Sequence, residues 1–182
     1  MTQPSESNLL LLRSASARKV GTRSTGSIQY VLLCDSAHES LYIRIACNEG
    51  GGYFSKEIVP FTRAKECVSG FSPDRAIPSK VFAPAFIGRS SNNAGFLAAI
   101  LRAEELLAAA PGTDFQHVVT GDWNEWEATA LKLDGTPIPA VEAPIGSDDG
   151  AQSENASNDR PEHTEHTKPE KGRKAPRSGG SR

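Results

Sequence analysis

The stretch GSIQYVLLCDSAHESLYIRIACNEGGGYFSKEIVP, residues 26–60, decides the fold. Its opening is rich in β-branched and aromatic residues and runs into a turn, DSAHES, so a strand is predicted over about 27–34. LYIRIAC then alternates: Leu41, Ile43 and Ile45 fall on one face, Tyr42, Arg44 and Ala46 on the other. That period of two marks a half-buried strand. After Gly50, Gly51 and Gly52, YFSKEIVP reads as a third strand that Pro60 ends. Glycines that cradle a phosphate run from a strand into a helix, with Lys-Ser or Lys-Thr at a fixed offset. These glycines lack that pair and lie between two strands. They read as a hairpin turn in which glycine supplies the positive φ.

Downstream, FTRAKECVSG reads as a short helix, with Thr62 as N-cap and Gly70 as stop. FSPDRAIPSK is a loop. VFAPAFIG is apolar, and Pro84 keeps it to a short helical or irregular segment. SSNNAGFLAAILRAEELLAAAPG is the clearest helix. Ser91 or Asn92 caps it, Phe96, Leu97, Ile100, Leu101 and Leu107 form a stripe that only Glu104 interrupts, and Pro111-Gly112 ends it. FQHVVT is a fourth strand. DWNEWEATALKL is a final helix with Asp122 in the cap role and Glu125 three residues on, so that Trp123, Trp126 and Ala130 share a face. The fold class is α+β: an antiparallel β-meander of three strands plus a fourth, packed on one face by helices.

Upstream, residues 1–9 read as loose. From residue 9 to residue 26 the chain carries Arg13, Arg18, Lys19 and Arg23 and no acid, which reads as a basic N-terminal arm. A single domain is expected over 10–133, and residues 1–133 hold 13 basic residues against 13 acidic ones. From Asp134 there is no Phe, Trp, Tyr or Cys, and charge segregates. Residues 142–165 hold seven acids against Arg160, and 166–182 six bases against Glu170. Such blocks read as a disordered charged tail, 134–182. Cys34, Cys47 and Cys67 have no metal-ligand or redox spacing, and free thiols suit the cytoplasm. No run approaches the ~18 consecutive apolar residues that span a bilayer.

Catalysis finds little footing in the residues. No G-x-S-x-G elbow is present, and the body holds only His38, in a turn, and His117, on a strand. Glu104-Glu105 and Glu125/Glu127 read as solvated helix faces, and His163 and His166 lie in the tail. No catalytic residue, metal ligand or cofactor site is expected. A helix-turn-helix over 79–107, with Arg89, Ser90, Asn92 and Asn93 opening the second helix, is opposed by Pro84 in the first. The sheet is more suggestive. Tyr42 and Arg44 lie on its outward face, with Tyr53 and Lys56 on the next strand. Aromatic rings stack on unpaired bases while cations follow phosphates, and Arg18, Lys19 and Arg23 add a salt-sensitive attraction.

The order Gly26-x-x-x-Tyr30, Asp35 at a turn, Ile43-Arg44, a glycine turn, then Lys56-x-Ile58-x-Pro60 and a helix resembles the single-stranded-DNA-binding transcriptional coactivator family, which is related in shape to the Whirly proteins. The resemblance covers residues 26–70. It implies a curved antiparallel sheet backed by a helix, a homodimer that grips unpaired strands, and Tyr42, Arg44 and Lys56 as strand contacts. The helix after Pro60 is shorter than that family's, residues beyond 70 have no place in its minimal domain, and Glu57 puts an acid at the contact strand. The function expected is non-enzymatic binding of nucleic acid, single-stranded DNA above duplex, through the sheet face and the arm. The alternative is a protein-interaction adaptor or inhibitor encoded by a mobile element. The zero net charge of the body favours this alternative, because dedicated nucleic-acid domains are usually basic.

Overall fold

A computed structural model describes residues 8–21, 25–88 and 90–138. All fall in the first of two compact units, Met1–Glu142. Arg23, Arg89, His163, His166 and the tail from residue 139 lie outside the described residues.

The fold is α+β. Strands β1 (Leu9–Arg18), β2 (Ser27–Asp35), β3 (Leu41–Asn48), β4 (Ile58–Pro60) and β8 (Thr136–Pro137) make one antiparallel sheet in the order β4-β3-β2-β1-β8. A second sheet, β5-β7-β6, is made by β5 (Ile77–Pro78), β6 (Leu107–Ala110) and β7 (Thr113–Val119). Helices α1 (Phe61–Val68), α2 (Asn93–Ala103) and α3 (Trp123–Ala130) and a 3-10 segment (Ser79–Ala85) complete the body.

The central alternation behaves as its sequence predicts. Ile28, Tyr30, Leu32, Leu41, Ile43, Ile45 and Val59 join one core with Phe61, Phe82, Leu97, Ile100 and Leu101. Each large side chain buried there contributes on the order of 1.5–3 kcal/mol. Trp123 stacks on Phe61 with ring centroids 5.6 Å apart, and Trp126 meets the same ring at 4.8 Å. Asp122 caps α3 as expected, its Oδ1 accepting from the backbone N–H groups of Asn124 and Glu125 at 3.0 Å each.

Four expectations need correction. The basic arm is the ten-residue strand β1, because LLLLRSASAR pairs along β2 from Leu9 to Arg18. The third strand is only Ile58–Pro60, because residues 49–57 leave the sheet to dock on the segment before α2. The clearest helix stops at Ala103. There Glu105 takes φ +61°, its N–H donates to Arg102 O at 3.1 Å and that of Leu106 to Leu101 O at 2.9 Å. This is a Schellman stop, and Leu107–Ala110 then pairs with β7 despite its helix-favouring alanines. The fourth strand therefore lies in a second sheet, and Thr136–Pro137, assigned to the tail, pairs with Leu10 and Leu11.

The outer face of the five-stranded sheet is not bare. Leu9, Val31, Leu33 and Ile58 are buried there, with Leu11, Tyr42 and Ile138 packed against them. β1 reaches both faces through a bulge. Leu11 pairs with Leu33 and Arg13 with Leu32, so Leu12 is the extra residue. One extra residue reverses which face the following side chains take. Leu9 joins the outer cluster, whereas Leu12, Ala15 and Ala17 join the helix-side core.

Candidate nucleic-acid interface

The seven residues singled out from sequence separate into distinct groups. Tyr42 and Arg44 lie on the outer sheet face, opposite Leu33 and Val31 on one side and Pro60 and Ile58 on the other. Both are half-buried. Tyr42 packs against the outer apolar cluster and is only partly exposed. Tyr53 and Lys56 are in the loop of residues 49–57 rather than on a strand. Arg18 and Lys19 close β1. Arg23 lies outside the described residues.

The loop is built by glycine and asparagine. Gly50, Gly51 and Gly52 take φ values of +86°, +80° and +94°. Three successive left-handed residues demand glycine, since a Cβ is strained at each. Asn48 Nδ2 donates to Gly51 O and, at 3.1 Å, to Gly52 O. Beyond the glycines, Tyr53 O accepts from Ser90 Oγ at 2.8 Å and Asn92 Nδ2 at 2.9 Å. The buried Asn93 accepts at Oδ1 from Ser55 N at 3.0 Å. Glu57 accepts from the N–H groups of Ile87 and Gly88 at 2.8 and 3.0 Å. Ser90, Asn92 and Asn93 thus turn their side chains to the loop, and none of them caps α2. Tyr53 is left 79% exposed, and Lys56 is exposed beside it.

Lys19 ties the end of β1 to this loop. Its ammonium donates to Glu49 O and sits 5.7 Å from the Phe96 ring centroid on α2. Farther along α2 a cleft of about 660 Å³ opens, lined by Arg18, Lys19, Val20, Gly21, Ala99, Arg102, Ala103 and Asp114. Asn92, Phe96, Ala99 and Ala103 recur at helical spacing, so loop, Lys19 and cleft follow one side of α2. At 1.5 Å per residue that side is roughly 16 Å long.

Arg102 is the residue the sequence did not disclose. Its Nε donates to His117 Nδ1 at 2.9 Å, and Nη2 donates to the carbonyls of Asp114 and Gln116 at 3.2 and 2.8 Å. All three acceptors are neutral. Among the described residues none of Arg18, Lys19 and Arg102 is ion-paired to a carboxylate. Asp114, the acid lining the cleft, accepts from Arg102 at its backbone carbonyl, and burial lowers the Arg102 pKa while the nearby Asp114 charge opposes that fall.

His117 explains how Arg102 is held. It is fully buried, and because Nδ1 accepts from Arg102, the neutral ring carries its proton on Nε2, which donates to Ser79 Oγ at 2.7 Å. Burial first, and the guanidinium charge second, push its pKa down to about 4. In this tautomer the ring offers Ser79 a proton and does not withdraw one, so the pair does not form an activated nucleophile.

The second buried polar centre is Glu104, expected on a solvated face. Its side chain is 6% exposed. It receives Arg13, the Tyr30 hydroxyl and, at 3.2 Å, Trp126 Nε1. Burial, then the Glu104 hydrogen bond, raises the Tyr30 pKa. This centre joins β1, β2, α2 and α3 and faces the core, which makes it a structural node. Among the described residues no three His, Cys, Asp or Glu side chains gather as metal ligands, and no helix is long and apolar enough to cross a membrane.

No protein-family model, curated protein or solved structure matches this chain.

Proposed function

We propose that the protein binds nucleic acid through its phosphates, single strands in preference to duplex, at the cleft formed by Arg18, Lys19 and Arg102. One observation carries the reading: three cations from β1 and α2 line a single cleft and, among the described residues, none makes a direct ion pair with a carboxylate, although Asp114 and Glu49 lie close enough to attract Arg102 and Lys19. A phosphate there gains charge-assisted hydrogen bonds without breaking an existing ion pair. Tyr53 and Lys56, at the loop end of the same side of α2, supply a ring for a base and a further cation. Tyr42 and Arg44, on the outer sheet face, lie outside this site.

The test is titration of the full-length protein into labelled single-stranded and duplex oligonucleotides of ~20 nucleotides at several salt concentrations. Arg18→Glu is expected to weaken binding by about tenfold or more and to lower the salt slope by about one. Tyr53→Ala is expected to weaken single-strand binding by roughly 1–3 kcal/mol and leave duplex binding unchanged. Arg44→Ala is expected to have no effect. Absence of binding at ~100 μM protein in low salt, where even non-specific association appears, removes the reading. A protein partner is the second reading, and the open edge of β1 is the observation that favours it.

A further inference from the structure

β1 is the longest strand of its sheet, and among the described residues its outer side is paired only at its beginning. β8 pairs with Leu10 and Leu11 and no further. Residues 13–18 pair with β2 alone among the described residues. Along those six residues, alternate backbone N–H and C=O groups point away from β2 with no strand among the described residues to receive them. Edges are usually guarded by charged side chains, by proline, by a bulge, by brevity or by a covering loop; here the charges are Arg13, engaged by Glu104, and Arg18 at the far end. The bulge here lies at Leu12, before the open part, and RSASAR contains no proline. Ser14 and Ser16 are exposed and too small to fence the edge.

Charge selects the occupant. The open edge ends at Arg18, which also lines the cleft with Lys19 and Arg102. Arg13 is neutralised by Glu104, so a second copy pairing here would bring another Arg18 to an edge that already ends in one beside the cationic cleft. An acidic strand is complementary to it. We infer that residues 13–18 of β1 accept an acidic extended peptide from a protein partner as an added strand, with a carboxylate of that peptide entering the cleft. Six residues of pairing span roughly 20 Å, the scale of ordinary strand addition. This gives a chemistry to the protein-partner reading; it shares the cleft with the nucleic-acid reading, and only the backbone pairing along residues 13–18 is separate from it.

The experiment uses the full chain and a labelled synthetic peptide of about nine residues alternating valine with glutamate, long enough to cover the edge. Two further versions carry backbone N-methyl groups on alternate residues, so that each blocks one edge of the peptide. The unmodified peptide is expected to bind and to slow amide exchange within residues 13–18. One methylated version is expected to bind at least ~tenfold more weakly and the other within ~twofold, because only one edge of an added strand is used. Arg18→Glu is expected to weaken binding by about tenfold without changing the melting temperature. Equal binding of both methylated versions would reduce the interaction to charge alone and overturn the inference. So would no binding at ~1 mM peptide, a very weak limit, or exchange protection elsewhere in the protein. Protection already present in the free protein and lost on dilution would make a second copy the occupant. The same protection produced by an oligonucleotide would assign the edge to nucleic acid.

Discussion

Arg13 and Glu104, 91 residues apart in the chain, form an ion pair that fastens β1 to the end of α2. The bulge at Leu12 makes it possible, because it turns Arg13 from the outer sheet face to the helix side. The carboxylate also accepts from Tyr30 and Trp126. Glu104→Ala strands a buried hydroxyl and an indole N–H, and is expected to lower unfolding free energy by about 3 kcal/mol. Tyr30→Phe removes one bond and should cost about 1–2 kcal/mol. Urea unfolding measures both. A loss below ~1 kcal/mol for Glu104→Ala would mean that water satisfies the site.

His117 sets an acid limit on stability. Its folded pKa is about 4, against about 6.5 in an unfolded chain. The unfolded state therefore binds more protons between these values, and stability falls as pH drops through the window. The contribution is fully present above pH ~6.5 and reaches roughly 3 kcal/mol lost by pH ~4. His117→Gln should flatten the unfolding free energy across that window while lowering it at neutral pH. A wild-type curve flat from pH 6.5 to 4 would refute a buried neutral imidazole.

Glu105 occupies a conformation that suits glycine. At φ +61° a residue with a Cβ bears about 1–2 kcal/mol of strain. Its side chain is exposed, and its carbonyl accepts from Thr120 Oγ1 at 2.9 Å, a bond that glycine keeps. Glu105→Gly is expected to raise stability by about 0.5–1 kcal/mol, since some of the relief is offset by the greater freedom of glycine when unfolded. Thermal unfolding gives the sign, and a lower melting temperature would contradict the strained stop.

Asn93 anchors the glycine loop from inside. It is 1% exposed and bonds Ser55 N and Gly88 O. Asn93→Ala leaves both groups without that partner, and should cost about 2 kcal/mol. The amide of Ser55 should then exchange faster, and the loop that carries Tyr53 should loosen. If single-strand affinity falls in this variant while Arg18→Glu retains its separate effect, the loop and the cleft contribute independently.

The alternating core of the sheet was legible because period two survives in the letters: Leu41, Ile43 and Ile45 are buried as their spacing requires. The Asp122 cap was legible because a cap is local. What escaped was decided elsewhere in the chain. LLLLRSASAR carries no clean alternation, since a bulge reverses its faces partway. LAAA reads as helix by propensity, and only its pairing with β7 makes it a strand. At the candidate site, Arg18, Lys19, Tyr53 and Lys56 were singled out, but Arg102 was not. Nothing within the helix pattern signals that Arg102 shares a cleft with the end of β1. Tyr42 and Arg44 were placed on the correct strand face. That this face holds its own apolar cluster depends on Leu9, Leu11 and Ile138, which are distant in sequence.

The pairing of β1 with β8 has a consequence for the chain while it is being made. β1 is translated well before β8: the residues that pair with Leu10 and Leu11 are Pro137 and Thr136, about 125 positions later. At typical elongation rates of about 5–20 residues per second, those leucines wait roughly 6–25 s for their neighbour. During that interval the most apolar run of the chain, Leu9 to Leu12, has one side uncovered, at a time when other nascent or unfolded chains are within reach.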